Sequence, residues 1–222
     1  MRRIPQRLLS LMADCVSAED RDEMAIPSYQ HRNPLLRWMA WHRLEVVAKF
    51  FRESCRKMND ASTHTVMDFG CGTGVLFDES SQVADQVYGV DIVLDPARLL
   101  VDAWGLEKVI LLTPDEAQNK LPPRSVDTII AAEVLEHITP LDDTLAFFRD
   151  RLKPGGTLLV SLPTESLLYR FGRRLAGFEG HYHHSNAASI HRQILDTGFE
   201  QLRMQKIPAP GPLAIYWVIE YR

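Results

Sequence analysis

Val66-Met67-Asp68-Phe69-Gly70-Cys71-Gly72-Thr73-Gly74 reads as a buried strand that ends in an acid, then a glycine-spaced loop, then a helix beginning near Val75. Glycine lets a backbone approach a ligand closely and turn where a Cβ would clash. Three glycines at alternating positions directly after a strand therefore describe a loop that cradles a nucleotide, and a cofactor with an adenosine half is the first inference.

Spacing decides which cofactor. The dinucleotide fingerprint places its third glycine three residues after the second, with pyrophosphate over the helix N-terminus. Here the glycines fall at 70, 72 and 74, and Asp68 stands just ahead of them. A carboxylate at that place repels pyrophosphate and welcomes a cation. The pattern Asp-x-Gly-x-Gly-x-Gly resembles the first motif of class I S-adenosylmethionine-dependent methyltransferases, whose cofactor carries a sulfonium and an amino group and no phosphate. Asp91, in Val87-Tyr88-Gly89-Val90-Asp91-Ile92, would end a second strand and accept hydrogen bonds from ribose hydroxyls. That role is shared with NAD enzymes, so Asp91 alone discriminates weakly. A glycine-rich turn that binds nothing is the plain alternative.

Composition narrows the class. A chain of 222 residues with 45% hydrophobic and 24% charged residues suits one globular domain with a sizeable core. The net charge of −4 supplies no overall basic field, which disfavours nucleic acid as a partner. Cys15, Cys55 and Cys71 are odd in number and form no CxxC pair, which argues against a disulfide scaffold or a cysteine zinc site. A reducing cytoplasm is the expected compartment. No apolar run approaches the roughly 18–20 residues that span a bilayer, and the stretch after Met1-Arg2-Arg3 is too short and polar for a secretory signal.

Outward from the glycine loop, apolar runs alternate with helical patterns. Residues 65–69, 87–90, 108–112, 126–132 and 157–162 read as strands, and 75–84, 96–104 and 141–152 as helices. Such alternation calls for a parallel sheet with helices on both faces, and its ligands bind at the carboxyl edge of the strands. Asp68, Asp91 and Glu133 all sit at or just past such ends. Two last apolar stretches, 199–207 and 213–221, flank Pro208-Ala209-Pro210-Gly211-Pro212 and read as an antiparallel pair that closes the sheet; a helix over 187–197 precedes them.

Before the first strand, residues 17–32 are charged and proline-containing and read as a linker from a short N-terminal helix. Asn33-Pro34 then caps a helix running to about residue 58, with Leu35, Trp38, Met39, Trp41, Leu44, Val47, Ala48 and Phe51 at helical spacing. Residues 1–60 are thus expected to be a helical extension over the cleft, and 61–222 the cofactor-binding domain. Arg37, Trp41, His42 and Arg43 mark either contact with an anionic or membrane-borne substrate or a plain core-facing amphipathic helix.

The resemblance extends from about residue 62 to 206. It is carried by Leu121-Pro122 with Ser125-Val126-Asp127-Thr128-Ile129-Ile130, by Glu133-Val134-Leu135-Glu136-His137-Ile138, and by Leu152-Lys153-Pro154-Gly155-Gly156-Thr157-Leu158. It implies a Rossmann-like, doubly wound, mostly parallel seven-stranded α/β sheet with an antiparallel strand near the C-terminal edge. It also implies that Asp68, Gly70, Cys71 and Gly72 line the methionine half of S-adenosyl-L-methionine, with Gly74 permitting close helix packing. Asp91 would hold the ribose, Ile92 pack on adenine, Asp115 meet the adenine amino group, and Glu133 complete the cofactor set. For Asp115 a helix-capping role is an equal reading.

The Glu133-x-x-Glu136-His137 turn, together with Gly180-His181-Tyr182-His183-His184, resembles ubiquinone-biosynthesis O-methyltransferases and, more distantly, small-RNA 2′-O-methyltransferases. His137 and His181 are the candidate catalytic residues, and Glu133, Glu136, His137 and His181 a candidate set for a divalent metal. A metal-free base and purely structural histidines remain open beside it. An insert over about 163–186, with Tyr169, Arg170, Phe171, Arg173 and Arg174, reads as an acceptor lid for a small-molecule, lipid-linked or sugar-linked substrate, or as a solvated helix. The expected activity is methyl transfer to an acceptor oxygen. The alternatives are a catalytically silent cofactor-binding module and a NAD(P)-dependent oxidoreductase.

Overall fold

A computed structural model describes residues 1–57, 63–164 and 186–222. Its centre is a seven-stranded sheet of β1 (Thr65–Phe69), β2 (Gln86–Val90), β3 (Val109–Leu112), β4 (Val126–Ala132), β5 (Leu152–Pro163), β6 (Gln201–Ile207) and β7 (Tyr216–Tyr221). The spatial order is β3-β2-β1-β4-β5-β7-β6. Pairs from β3 through β5 are parallel, whereas β7 runs antiparallel to both β5 and β6. The chain therefore forms the doubly wound, mostly parallel sheet that the sequence pattern predicts. The order reverses between β1 and β4, so the crevice at their carboxyl ends is the place where such sheets bind ligands.

Burial on both faces explains the composition of the strands. Val66 and Ile130 point into one core and Met67 and Ile129 into the other, all essentially inaccessible, as expected for parallel strands covered twice. One face carries α1 (Gln6–Asp14), α4 (Pro34–Lys57), α5 (Phe77–Val83) and α6 (Asp95–Trp104); their Met12, Phe51, Phe77 and Leu100 share a core with Val66. The other face carries α7 (Pro114–Lys120), α8 (Leu141–Arg151) and α9 (Ala187–Asp196), whose Ala117, Phe148 and Ile194 pack with Met67. Among the described residues no helix is long and apolar enough to cross a membrane.

Three expectations change in detail. The 17–32 segment is not a bare linker, because it holds α2 (Ala18–Glu23), capped by Ser17 accepting from the Asp20 amide, and α3 (Ile26–Tyr29) with Ile26 and Tyr29 buried. Helices this short leave too few apolar positions to show a period. Residues 116–120, outside the strands and helices read from the sequence, lie in α7, where Thr113 accepts from the Glu116 amide and Glu116 accepts from the Thr113 amide. That reciprocal cap was present in the sequence as Thr-Pro-x-Glu. β5 starts at Leu152, ahead of the strand read over 157–162, so Lys153-Pro154-Gly155-Gly156 lies within it. The expected domain boundary near residue 60 and the lid insert fall almost wholly outside the described residues.

Candidate active site

The loop after β1 holds its shape through its backbone. Gly70 and Gly74 take φ of +72° and +73°, a region that costs a non-glycine residue about 1 kcal/mol or more. Space is as restrictive as torsion. A Cβ on Gly70 would lie 2.4 Å from a methyl of Val134, and one on Gly74 2.5 Å from the Phe77 ring. The loop is thus pressed against the β4 turn on one side and against α5 on the other. Amide donors of Gly70 and Cys71 both reach the Val90 carbonyl, at 2.8 and 3.2 Å, which fastens the loop to the end of β2.

At that end stands Asp91. Its carboxylate accepts from the Gly72 amide at 2.7 Å and from the Val93 amide at 3.2 Å. Burial raises its pKa, while these backbone donors pull it down again. Asp68, at the end of β1, is 3% exposed. Its carboxylate has no hydrogen-bond partner among the described residues, and burial, followed by the charge of Asp91, raises its pKa to about 7. An acid in that condition gains most from a ligand that brings its own positive charge.

Both acids open into a cavity of about 590 Å³ at the carboxyl edge of the sheet, a volume suited to a small-molecule cofactor. Cys71 lies in its wall, with burial holding the thiol far above its ordinary pKa, so it is an apolar wall group and not a nucleophile. Ile92 is 75% exposed at the rim, where a flat apolar group such as a purine would cover it. Asp115 is exposed in the first turn of α7 and is absent from the cavity wall, where its neighbour Pro114 stands instead.

The adjoining part of the wall comes from the turn after β4, beside the glycine loop. Glu133 has φ of +59°, and the following 3-10 turn spans Leu135–His137 and packs against α9. Glu133 and His137 line the cavity, whereas Glu136 is 1% exposed and does not. Because the turn is 3-10 and Glu133 lies outside it, the three side chains do not share the helical face that would gather them. No group of three or more potential ligands is arranged to hold a metal among the described residues. His181, His183 and His184 lie outside those residues.

The remaining wall is one the sequence reading left open. Arg43 of α4, 4% exposed, forms an ion pair with Glu133 and donates to the Tyr216 hydroxyl at 3.2 Å. Its guanidinium lies 5.1 Å from the Tyr216 ring centre and 6.0 Å from that of Tyr29. Burial raises the Glu133 pKa, and the Arg43 charge opposes it; burial also pushes the Tyr216 phenol up to about 12. Tyr29, Met24 and Asp20 from α2 and α3 cover the same cavity, with Met24 over Gly72. The basic and aromatic set on α4 therefore divides: Arg43 and Trp41 are buried, and Arg37 is exposed and donates to the His31 carbonyl. The signal for Arg43 was its place three after Ala40 and four before Val47, both buried on the apolar stripe of α4.

Chemically, the cavity offers a carboxylate without a hydrogen-bond partner among the described residues, a second one aimed by backbone amides, and an imidazole in the same lining. S-adenosylmethionine fits this donor set: its amino group and sulfonium match Asp68 and its ribose diol matches Asp91. A pyrophosphate would meet the carboxylates of Asp68 and Asp91, and the Arg43 guanidinium in the wall is already engaged by Glu133.

A family model described as a methyltransferase domain matches residues 29–203. The ubiquinone biosynthesis O-methyltransferase of Azoarcus sp. (strain BH72) is 33% identical over 99 residues, covering 43% of this chain and 42% of that protein. A probable S-adenosylmethionine-dependent methyltransferase of Mycolicibacterium smegmatis is 28% identical over 178 residues, covering 80% of this chain and 64% of that protein. The chain thus spans between about two-fifths and two-thirds of the length of these curated relatives. Among solved structures, magnesium protoporphyrin IX methyltransferase from Synechocystis PCC 6803, with bound S-adenosylhomocysteine, superposes with a TM-score of 0.66 at 19% identity, covering 96% of this chain and 98% of that one. The acid-glycine loop, the sheet order and this match leave no place for the dinucleotide oxidoreductase alternative: the chain belongs to the class I S-adenosylmethionine-dependent methyltransferases.

Proposed function

We propose that this protein transfers the methyl group of S-adenosylmethionine to a hydroxyl oxygen of a small-molecule or carrier-linked acceptor. The observation that carries the reading is Asp68, a buried acid without a hydrogen-bond partner among the described residues, lining one cavity together with His137. O-methylation is further supported by the names of the ubiquinone biosynthesis relatives, which cover part of their own lengths.

When bound, the cofactor supplies an electrophilic methyl carbon: the acceptor oxygen bonds to it, the carbon–sulfur bond breaks, and sulfur keeps the pair as a neutral thioether. The chain's work is then placement and proton management. Asp68 and Asp91 fix the two ends of the cofactor, so that its methyl group has one direction to face. The apolar wall of Cys71, Val134 and Ile138 excludes water from the approach. His137 takes the acceptor hydroxyl proton as general base, a contribution of about 10²–10⁴-fold where such a group acts.

Incubation with methyl-labelled cofactor and a panel of phenols, catechols and amines tests the reading. The expected result is label on oxygen of a hydroxylated acceptor, with His137→Gln lowering kcat about 10²-fold or more while cofactor affinity stays within about threefold. Label on nitrogen or carbon only, or no binding of S-adenosylmethionine by calorimetry, would sink it.

A further inference from the structure

Two acids stand past the ends of neighbouring strands in one cavity wall, yet their surroundings differ. Asp68 on β1 has no hydrogen-bond partner among the described residues. Glu133, past β4, is engaged by the buried guanidinium of Arg43. That guanidinium is itself fixed by the Tyr216 hydroxyl and flanked by the Tyr29 and Tyr216 rings. A guanidinium does not shed its proton in a protein, so its charge stays in the wall whatever the pH. The carboxylate that cancels it is Glu133.

We propose that Glu133 serves the cofactor through Arg43 and not by touching it: it offsets the Arg43 charge, so that the carboxylate of Asp68 meets the cationic half of the cofactor without a competing positive charge and fixes which way round it lies. The inference rests on the S-adenosylmethionine reading. It assigns α4, from outside the nucleotide-binding motif, a part in cofactor selection. Among the described residues, the charged and titratable groups around the pair are Asp68 from β1, Tyr29 from α3, Tyr216 from β7, and Glu136 and His137 from the turn. Arg43 is the strong cation on this wall, and an unbalanced positive charge there would oppose a sulfonium more than an uncharged thioether.

The test compares binding of S-adenosylmethionine and S-adenosylhomocysteine by calorimetry at about pH 8, where Asp68 is ionised. Glu133→Gln adds one net positive charge to the wall and is expected to weaken S-adenosylmethionine about tenfold, with S-adenosylhomocysteine changing less than about threefold. The double variant Arg43→Met/Glu133→Gln removes both charges, a replacement that buried ion pairs tolerate. It is expected to bring S-adenosylmethionine back to within about threefold of wild type. Recovery supports action through Arg43. A double variant as weak as Glu133→Gln overturns the proposal and makes Glu133 a direct ligand of the cofactor; a Glu133→Gln protein with unchanged affinities overturns it as well, by showing that Glu133 serves the cofactor in neither way. Should Glu133→Gln fail to fold, the double variant decides alone by keeping or losing the wild-type preference between the two ligands. Wild-type protein that binds neither ligand would sink the cofactor reading itself, whereas one that binds both, without recovery in the double variant, sinks this proposal only.

Discussion

The turns after β1 and β4 stand side by side at the same cavity and reach their shapes by opposite means. The β1 turn is built locally: glycines at positive φ fold the chain back, and amides of the loop aim the Asp91 carboxylate. The β4 turn places a non-glycine residue, Glu133, at φ of +59° and depends on partners brought by α3, α4 and β7. One turn carries its instructions in consecutive residues, and the other borrows them from across the chain. A local turn resists everything except a change in itself, whereas a borrowed one is open to changes far from it in sequence.

The strongest way to break this contrast is at Gly70. An added Cβ would meet Val134 at 2.4 Å, backbone strain included, so the two turns would be forced apart. Gly70→Ala is expected to lose about 2–4 kcal/mol in urea denaturation, overpacking and positive-φ strain together, and most of its cofactor affinity. A fully stable Gly70→Ala protein would show that the loop is not pressed against the β4 turn.

Next comes Asp68, whose effects on binding and on stability should run in opposite directions. Asp68→Asn removes the carboxylate offered to the cofactor and is expected to weaken S-adenosylmethionine about 10–100-fold, the scale of a charge-assisted contact in a cavity. The same change should stabilise the folded chain near pH 8, because burial raises the Asp68 pKa to about 7 from an ordinary 3.8. The sign follows from linkage: a raised pKa means the folded state holds the proton more tightly than the unfolded state. Its contribution is greatest below about pH 4, falls as pH rises to about 7, and is flat above. Urea midpoints of wild type and Asp68→Asn measured from pH 5 to pH 8 should therefore diverge as pH increases. Cofactor affinity should do the reverse, rising with pH up to about 7 and levelling there, with proton release on binding detected in buffers of different ionisation heat.

A smaller effect is expected at the cap of α7, away from both turns. Thr113→Ala removes the hydroxyl that accepts from the Glu116 amide and should cost about 1 kcal/mol in stability while leaving cofactor affinity unchanged. A large loss of affinity in that variant would place α7, and with it Asp115, in the cofactor site after all.

These differences track what could be read in advance. The strand-loop-helix of residues 65–83 and the positions of Asp68 and Asp91 were legible, because strand alternation and glycine torsions act over a few residues. The strand pair that closes the sheet was legible from two apolar runs around a proline-rich turn. Asp115 was placed by family spacing, yet its Thr113-Pro114 context starts a helix that leaves it facing solvent. The 17–32 segment was read as a linker because six- and four-residue helices carry no usable period, and its Tyr29 nevertheless forms cavity wall. Glu133, Glu136 and His137 were read together as candidate metal ligands, and the short 3-10 turn sends Glu136 into the interior while Glu133 and His137 meet the cavity.

By itself the sequence determined the doubly wound sheet, the nucleotide-cradling loop and the charge preference of its cofactor, since each is encoded by neighbours along the chain. Only the tertiary structure decided that Arg43 turns inward to Glu133, that α2 and α3 roof the cavity, and that Asp68 and Glu133 face such different partners. Those outcomes depend on which faces of distant elements pack together, and packing is settled by the shape and burial of the whole core, not by any short run of residues.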